Sequence, residues 1–331
     1  MTTQFQALMV NQTDDHFTSQ LEHLSLTDLP QEDVTIRVHY SSVNYKDGLA
    51  AHPEGKVAPS YPLIPGVDLA GTVVASKDER YQIDDRVIVT GYGLGVSHHG
   101  GYSEYASVPG DWVVPAPDNL TLKEAMTLGT AGFTAALSIY QLENNGLTPE
   151  SGNVLVTGAT GGVGSMAVAM LAKKHYQVTA STGKTSEHAY LRQLGAQNML
   201  SREDVAPEKI RSLGTQQWAG AVDAVGGRTL ASILSNTMYG GSVAVSGLTG
   251  GANVPTTVFP FILRSVNLLG IDSVYCSNKL RKHLWHRLAT DLKPASLESM
   301  SREISLRELP SALSAILEGQ SRGRIVVNVA R

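Results

Sequence analysis

A single cysteine, Cys276, stands among 331 residues, so the chain can close no internal disulfide and build no cysteine-rich metal lobe. That scarcity fits a reducing, cytoplasmic address. Runs of lysine and arginine are absent, and 26 basic against 30 acidic side chains leave a net charge of −4. Nothing in that balance offers the positive field that non-specific nucleic-acid binding needs, so no nucleic-acid partner is expected. Long apolar runs are also missing. The longest, Met166–Ala172, is far short of a bilayer span, and Met1–His16 has no apolar core of the kind a signal peptide carries. No membrane association is expected. Charged residues are few at 17%, yet apolar ones reach 42%, the composition of a folded chain and not of a disordered one. At about 150 residues per domain the length predicts two domains, each able to bury its own core.

What is present is glycine, 32 residues weighted to the middle and third quarter, marking tight turns between short elements. Up to about Asp118 the β-branched or alternating runs Val34–Val38, Gly71–Ala75 and Arg86–Val89 are broken by proline and glycine and predict a mostly β half. Beyond Leu122 the pattern changes: Lys123–Gln141 has helical spacing, and apolar strands then alternate with helix-like stretches. Strands are predicted at Val154–Thr157, Gln177–Ser181, Asn198–Leu200, Ala221–Ala224, Ser242–Val245 and Asn267–Ile271, with helices at Gly164–Lys174, Glu187–Leu194 and Arg228–Thr237. Apolar strands without alternation, joined by helices, imply a doubly wound parallel sheet covered on both faces. The tail carries an amphipathic stretch, Leu309–Leu317, then Gly319 and a β-branched strand Ile325–Val329, and is expected to return to the first domain. The boundaries predicted are 1–126 with 274–331 for the β-rich domain and 127–273 for the α/β domain.

Val154–Thr157 runs into Gly158-Ala-Thr-Gly-Gly-Val-Gly164 and then an Ala/Met/Leu-rich helix, the strand–turn–helix setting of a dinucleotide-binding (Rossmann) fingerprint. Gly161 and Gly164 fit its second and third glycines and Ala159 replaces the first, with Thr160, Gly162 and Val163 completing the turn. A pyrophosphate there meets open N–H groups and the positive end of the helix dipole; the alternative is a tight turn without a ligand. About twenty residues on, where an NAD site carries an acid for the ribose, Ala180-Ser-Thr-Gly-Lys-Thr-Ser186 has none. That favours NADPH. Lys184, with the hydroxyls of Ser181 and Thr182 around Gly183, could hold a 2′-phosphate, a pairing worth roughly 1–4 kcal/mol at 4 Å. The alternative is a solvated lysine, and Arg202 is a second candidate.

Taken together, a β-rich domain, the Gly158–Gly164 turn and an α/β domain resemble the medium-chain dehydrogenase/reductases over nearly the whole chain. Pro65-Gly-Val-Asp-Leu-Ala-Gly71 and Gly100-Gly-Tyr-Ser-Glu-Tyr105 support this. Ser41-Ser-Val-Asn-Tyr-Lys-Asp47, Gly129-Thr-Ala-Gly-Phe-Thr-Ala135 and Pro255–Arg264 are similar to the acryloyl-CoA reductase branch, often labelled quinone oxidoreductase. The resemblance implies a GroES-like catalytic domain beside a six-stranded Rossmann sheet. It also implies that Asn44, Val67 and Thr130 stand where zinc-dependent members place Cys, His and Cys, and these three make no zinc site. Without a Lewis acid for an alcohol or carbonyl, reduction of an activated C=C bond remains.

The resemblance places Asn44 and Tyr45 facing the nicotinamide, with Tyr45 the leading catalytic candidate and Asp47 a holder of local geometry. A buried core tyrosine is the alternative reading of Tyr45. Leu248, Ile262 and Arg264 would line the nicotinamide half, and Arg324 would reach the cofactor or a substrate phosphate from the tail; the alternative for Arg324 is a cation beside the last strand. Family practice further implies a homodimer through the edge strand Asn267–Ile271. His98-His99 lacks the spacing and partners of a metal pair and is expected in a loop lining the substrate cleft. Cys276 has no identifiable base nearby. The expected activity is a zinc-independent, NADPH-dependent reduction of a small α,β-unsaturated thioester, acryloyl-CoA to propionyl-CoA. A quinone or enone reductase is the nearest competitor, and a non-catalytic NADPH sensor is the competitor from another class.

Overall fold

Val34, Ile36 and Val38 are buried while Arg37 is exposed, the period of two that makes one strand, Val34–Ser42, the centre of a sheet. In this computed structural model, which describes residues 3–13 and 16–331, that strand pairs antiparallel with Asp68–Ser76, which pairs in turn with Arg86–Thr90. Part of the Met1–His16 stretch read above lies outside the described residues. The tail strand is Arg324–Asn328, and it pairs antiparallel with the other side of Val34–Ser42, Val326 opposite Ser42. Ser301–Ser305 and Val113–Pro115 close the two ends, and Tyr105–Val108 also pairs with Val34–Ser42. Phe5, Leu8, Ile36, Ile64, Leu69 and Tyr102 belong to the core of this unit. The unit comprises residues 1–130, 274–289 and 297–331.

The second unit, residues 131–273 and 290–296, holds a six-stranded sheet that is parallel throughout. Its spatial order is Asn198–Leu200, Gln177–Ser181, Asn153–Val156, Trp218–Asp223, Thr237–Val245, Asn267–Gly270. By order of appearance this is 3-2-1-4-5-6, the doubly wound Rossmann arrangement, whose strand order reverses beside Asn153–Val156. Helices Gly162–Lys173, His188–Gln193 and Gly227–Asn236 connect the strands.

Two expectations need correction. Residues 127–130 belong with the β unit and 290–296 with the α/β unit. The long helix Leu122–Asn144 is broken at Gly129, φ +51°, and there the chain changes unit. Thr237 begins a strand where a helix end was expected; its hydroxyl donates to the Ile233 carbonyl and closes off the last turn of the helix. Among the described residues no helix is long and apolar enough to cross a membrane.

Candidate active site

Gly158 follows the first parallel strand at φ +56°, a left-handed angle glycine adopts without a Cβ penalty. A Cβ on Gly164 would lie 2.3 Å from the Gly158 carbonyl oxygen. Only glycine therefore lets the helix Gly162–Lys173 come so close to the strand that feeds it. Gly161 caps this helix with no side chain, so the amides of Gly162, Val163 and Gly164 have no intrahelical acceptor and form the positive end of the helix dipole. Thr160 is buried with its hydroxyl 3.3 Å from that of Thr182. Asp223 ends the neighbouring strand, buried, accepting from the Thr157 hydroxyl and from the amides of Val225 and Gly226. Burial holds its carboxyl above the usual range. Just past the next strand, the Ser246 hydroxyl is buried without a hydrogen-bond partner. An orphaned hydroxyl and an uncapped helix start, both at the carboxyl edge of the sheet, fit a dinucleotide in the crevice where such sheets bind ligands.

At the end of the second strand the expected phosphate hydroxyls are turned inward. Ser181 is buried and donates to the Ser201 carbonyl at 3.3 Å, and the Thr182 hydroxyl accepts from the Lys184 amide at 3.1 Å. The Ser181 hydrogen is thus spent on backbone, whereas Thr182 only accepts from the Lys184 amide and keeps a hydroxyl hydrogen to donate. Arg202, exposed, lies against Gly183, where a Cβ would sit 2.7 Å from its Nε. Half-buried Lys184 follows directly. The two cations flank a glycine whose lack of a side chain leaves room for the guanidinium.

In the β unit, Asp68 is fully buried at the start of its strand. Its Oδ2 accepts from the Ser42 hydroxyl at 2.5 Å, the Asn44 amide nitrogen at 2.7 Å and the Thr130 N–H at 2.9 Å, and its Oδ1 accepts from the Thr130 hydroxyl. Arg324 comes within 3.9 Å of Asp68 Oδ2. It donates to the Thr127 carbonyl at 3.0 Å, the Val43 carbonyl at 3.1 Å, Asn44 Oδ1 at 3.2 Å and the Ser42 hydroxyl at 2.7 Å. A Cβ on Gly129 would fall within 2.8 Å of atoms of Asp68, Ser42 and Arg324. The break in the long helix is thus what admits this cluster.

Asn44 and Thr130 both bond to Asp68, and the Val67 amide donates to Asp47 at 2.9 Å. The residues at the expected zinc positions are therefore engaged by two buried carboxylates, with a guanidinium among them. That donor set does not fit zinc: hydrocarbon, amide and hydroxyl replace thiolate and imidazole, and a fixed cation already neutralises the charge. Among the described residues no group of three or more His, Cys, Asp or Glu could hold a metal ion.

Asp47 accepts from the amides of Asn44 and Val67 at 2.8 and 2.9 Å. Burial, aided by the Asp68 charge, pushes its carboxyl up to about 6. The Tyr102 phenol donates to the Ser42 carbonyl at 3.2 Å, and burial raises it well above its ordinary value. Tyr45, first residue of the helix Tyr45–Ala50, is 43% exposed. Tyr45 and Lys46 are the exposed side chains at the start of this helix, where the alternative reading had a buried core tyrosine.

Three of the expected site residues are engaged within the protein. Asn44 is buried with both ends of its amide committed, to Asp68 and to Arg324. Arg324 is part of the same interior cluster, bonded to Ser42, Val43, Asn44 and Thr127. Arg264 donates to the carbonyls of Ser235, Thr237 and Gly214, satisfying backbone of its own unit and leaving little for a cofactor. Leu248 and Ile262 lie exposed on the α/β unit. His98 bonds the His99 carbonyl through Nδ1 and sets its ring edge against Trp112, while His99 Nδ1 accepts from the Ile64 amide. Asp68, which organises the cluster, was not singled out from sequence, although an acid inside the apolar run Val67–Ala70 was a visible signal.

Comparison with known proteins gives two family matches: residues 30–118 match the alcohol dehydrogenase GroES-like domain and residues 162–290 the zinc-binding dehydrogenase domain. Bacillus subtilis protein YhfP, solved with NAD bound, is 57% identical with a TM-score of 0.97, covering 99% of this chain and 100% of that one. Escherichia coli K-12 YhdH, solved with bound NADPH, is 47% identical with a TM-score of 0.94, covering 98% and 99%. Acrylyl-CoA reductase AcuI of Ruegeria pomeroyi is 50% identical, covering 98% of this chain and 99% of its own.

Proposed function

The chain belongs to the medium-chain dehydrogenase/reductase superfamily, and from that premise we propose that it is a zinc-independent, NADPH-dependent reductase of the C=C bond of an α,β-unsaturated thioester. Acryloyl-CoA is the substrate and propionyl-CoA the product. The observation that supports this reading is the Asn44–Asp68–Arg324 cluster: an amide, a hydrocarbon and a hydroxyl at Asn44, Val67 and Thr130 replace the zinc donors, and Asn44 and Thr130 are bonded to Asp68, which suits chemistry that needs no Lewis acid.

The reduced nicotinamide, when bound, would supply hydride to the β-carbon of the conjugated system, and a proton from water would complete the product at the α-carbon of the resulting enolate. The open amides of Gly162–Gly164 hold the pyrophosphate, and Lys184 with Arg202 takes the 2′-phosphate. Tyr45 supplies an exposed phenol that donates to the thioester oxygen as charge develops there. Asp47 is a positioning residue: its two backbone bonds fix the start of the helix that carries Tyr45.

The relative AcuI is named for this reaction, and YhdH was crystallised with the phosphorylated coenzyme. YhfP was crystallised with NAD; the cations at Lys184 and Arg202, with no ribose acid nearby, favour NADPH here. YhfP is also named as a quinone oxidoreductase, the second reading. Anaerobic mixing with NADPH and acryloyl-CoA is expected to consume reduced coenzyme stoichiometrically, and failure with every short enoyl-CoA removes the thioester. The ratio of kcat/KM for acryloyl-CoA to that for a simple quinone separates the two readings. Leu268 is 42% exposed on the edge strand Asn267–Gly270, which supports a homodimer through that edge; sedimentation of a monomer would exclude it.

A further inference from the structure

The adjacent rings of His98 and His99 are set for different tasks. His99 Nδ1 accepts from the Ile64 amide at 3.2 Å, and burial, aided by the charge of His98, holds its ring below the usual histidine range. His98 is arranged the other way round. A carbonyl only accepts, so the 2.8 Å contact between His98 Nδ1 and the His99 carbonyl places the ring proton on Nδ1. In the neutral ring Nε2 is then a bare lone pair. That nitrogen is buried without a hydrogen-bond partner, and the charge it faces is Glu32 Oε1 at 3.8 Å. Among the described residues the Glu32 carboxylate has no other partner. A lone pair gains nothing from a carboxylate, whereas a proton on Nε2 turns the same contact into a charge-assisted hydrogen bond.

The ring itself is held still. Its edge meets Trp112 with centroids 5.2 Å apart, Trp112 stacks on Tyr92 at 5.4 Å, and the Arg281 guanidinium lies 4.7 Å over Tyr92. Closing the gap to Glu32 takes a movement of about 1 Å, which falls to the glutamate, the more exposed of the two side chains. Other charges nearby are engaged elsewhere: Asp33 accepts from the Gly110 amide, and Asp111 pairs with Arg80 at 2.7 Å. The loop 91–101 that carries His98 is also bonded to the segment 64–67. The Gly100 amide donates to the Ile64 carbonyl at 2.7 Å and the Gly101 amide to the Gly66 carbonyl at 2.8 Å. That segment ends at Val67, whose amide donates to Asp47 at the start of the helix bearing Tyr45.

We propose that His98 and Glu32 form a proton-operated latch that holds the loop 91–101, and through it the segment 64–67, in place as the solution turns acid. Histidine is the side chain whose charge ordinarily changes between about pH 5 and 8. The same range weakens the hold from the other side: Asp47, pushed up to about 6, becomes neutral there, and a neutral carboxyl is a poorer acceptor for the Val67 amide. One charge-assisted bond closes as another fades. The latch itself is independent of the substrate; its effect on turnover rests on the reductase reading, and the test keeps the two apart.

Wild type, Glu32→Ala, His98→Phe and the double variant are unfolded in urea at pH 5.5 and pH 8. The phenyl ring keeps the contact with Trp112 and removes both nitrogens. At pH 5.5 the double variant is expected to lose less than the sum of the single changes, and at pH 8 the changes are expected to add. Hydrogen exchange, corrected for its intrinsic pH dependence, is expected to show the Gly100 and Gly101 amides about fivefold less protected in Glu32→Ala than in wild type at pH 5.5 and equally protected at pH 8. Additivity at both pH values, or protection that Glu32→Ala does not alter, overturns the latch. Equal coupling at both pH values overturns its dependence on a proton. With NADPH and acryloyl-CoA, kcat/KM of Glu32→Ala relative to wild type is expected to fall about fivefold between pH 8 and pH 5.5; a constant ratio overturns the link to the site. Turnover of no enoyl-CoA by wild type removes the thioester reading, and the unfolding and exchange results still decide the latch.

Discussion

Asp68 and Arg324 oppose each other at 3.9 Å with side chains that are 0% and 2% exposed, and the same two residues grip the two ends of the Asn44 amide. A buried pair of this kind is costly to break from one side, because the remaining charge stays out of water.

Arg324→Met is therefore expected to lower stability by about 3–5 kcal/mol, the usual penalty for stranding a buried partner. Asp68→Asn/Arg324→Met should lose less than the sum of the single changes, since neither charge is left behind. Urea unfolding midpoints for the four proteins decide the matter, and strict additivity would show that the pair is not coupled.

Asp47 makes a pH prediction with a definite sign. Its carboxyl moves from 3.8 to about 6 in the folded protein, so between those values the native state binds more protons than the unfolded one. Its contribution is fully present below 3.8 and is lost as pH rises through about 6, on the order of 3 kcal/mol. Carboxylates such as Glu303, held low by Lys123, slope the other way. The readout is thus the stability of wild type relative to Asp47→Asn, whose amide mimics the protonated carboxyl, across pH 4 to 6.5: wild type should lose ground to the variant as pH rises, and a constant difference contradicts the assignment.

Lys184→Ala and Arg202→Ala should each weaken NADPH by about tenfold, less than a buried pair because both groups meet solvent. NADH binding should barely change. Calorimetric titration with both coenzymes checks this, and equal losses for the two would sink the 2′-phosphate assignment.

Tyr45→Phe should reduce kcat by about 100-fold, the low end of what a positioned proton donor supplies, with an unchanged unfolding midpoint because the phenol lies at the surface. Steady-state turnover alongside thermal unfolding tests it; wild-type kcat in the variant would leave Tyr45 a contact residue only.

The α/β unit was legible nearly strand by strand because its signals are local. Apolar runs such as Gln177–Ser181 and Asn198–Leu200, glycine at the left-handed Gly158 and the missing acid after Ala180 need only neighbouring residues to be interpreted. Boundaries erred where a neighbour in space intervened, as at Thr237, whose hydroxyl closes a helix and opens a strand. Side-chain roles were less readable. Ser181 and Thr182 were correctly placed at a strand end, yet which way a hydroxyl points depends on what lies beside it, here the backbone of Ser201 and Lys184.

What the amino-acid order determined by itself was a two-part architecture, a phosphate-binding turn and the lack of zinc donors, because composition and short-range spacing suffice for each. What only the tertiary structure decided was the fate of Arg324, Asn44 and Asp68. Ser42 and Arg324 are 282 positions apart, and a guanidinium is a ligand clamp or an interior strut according to which oxygens the fold brings within reach.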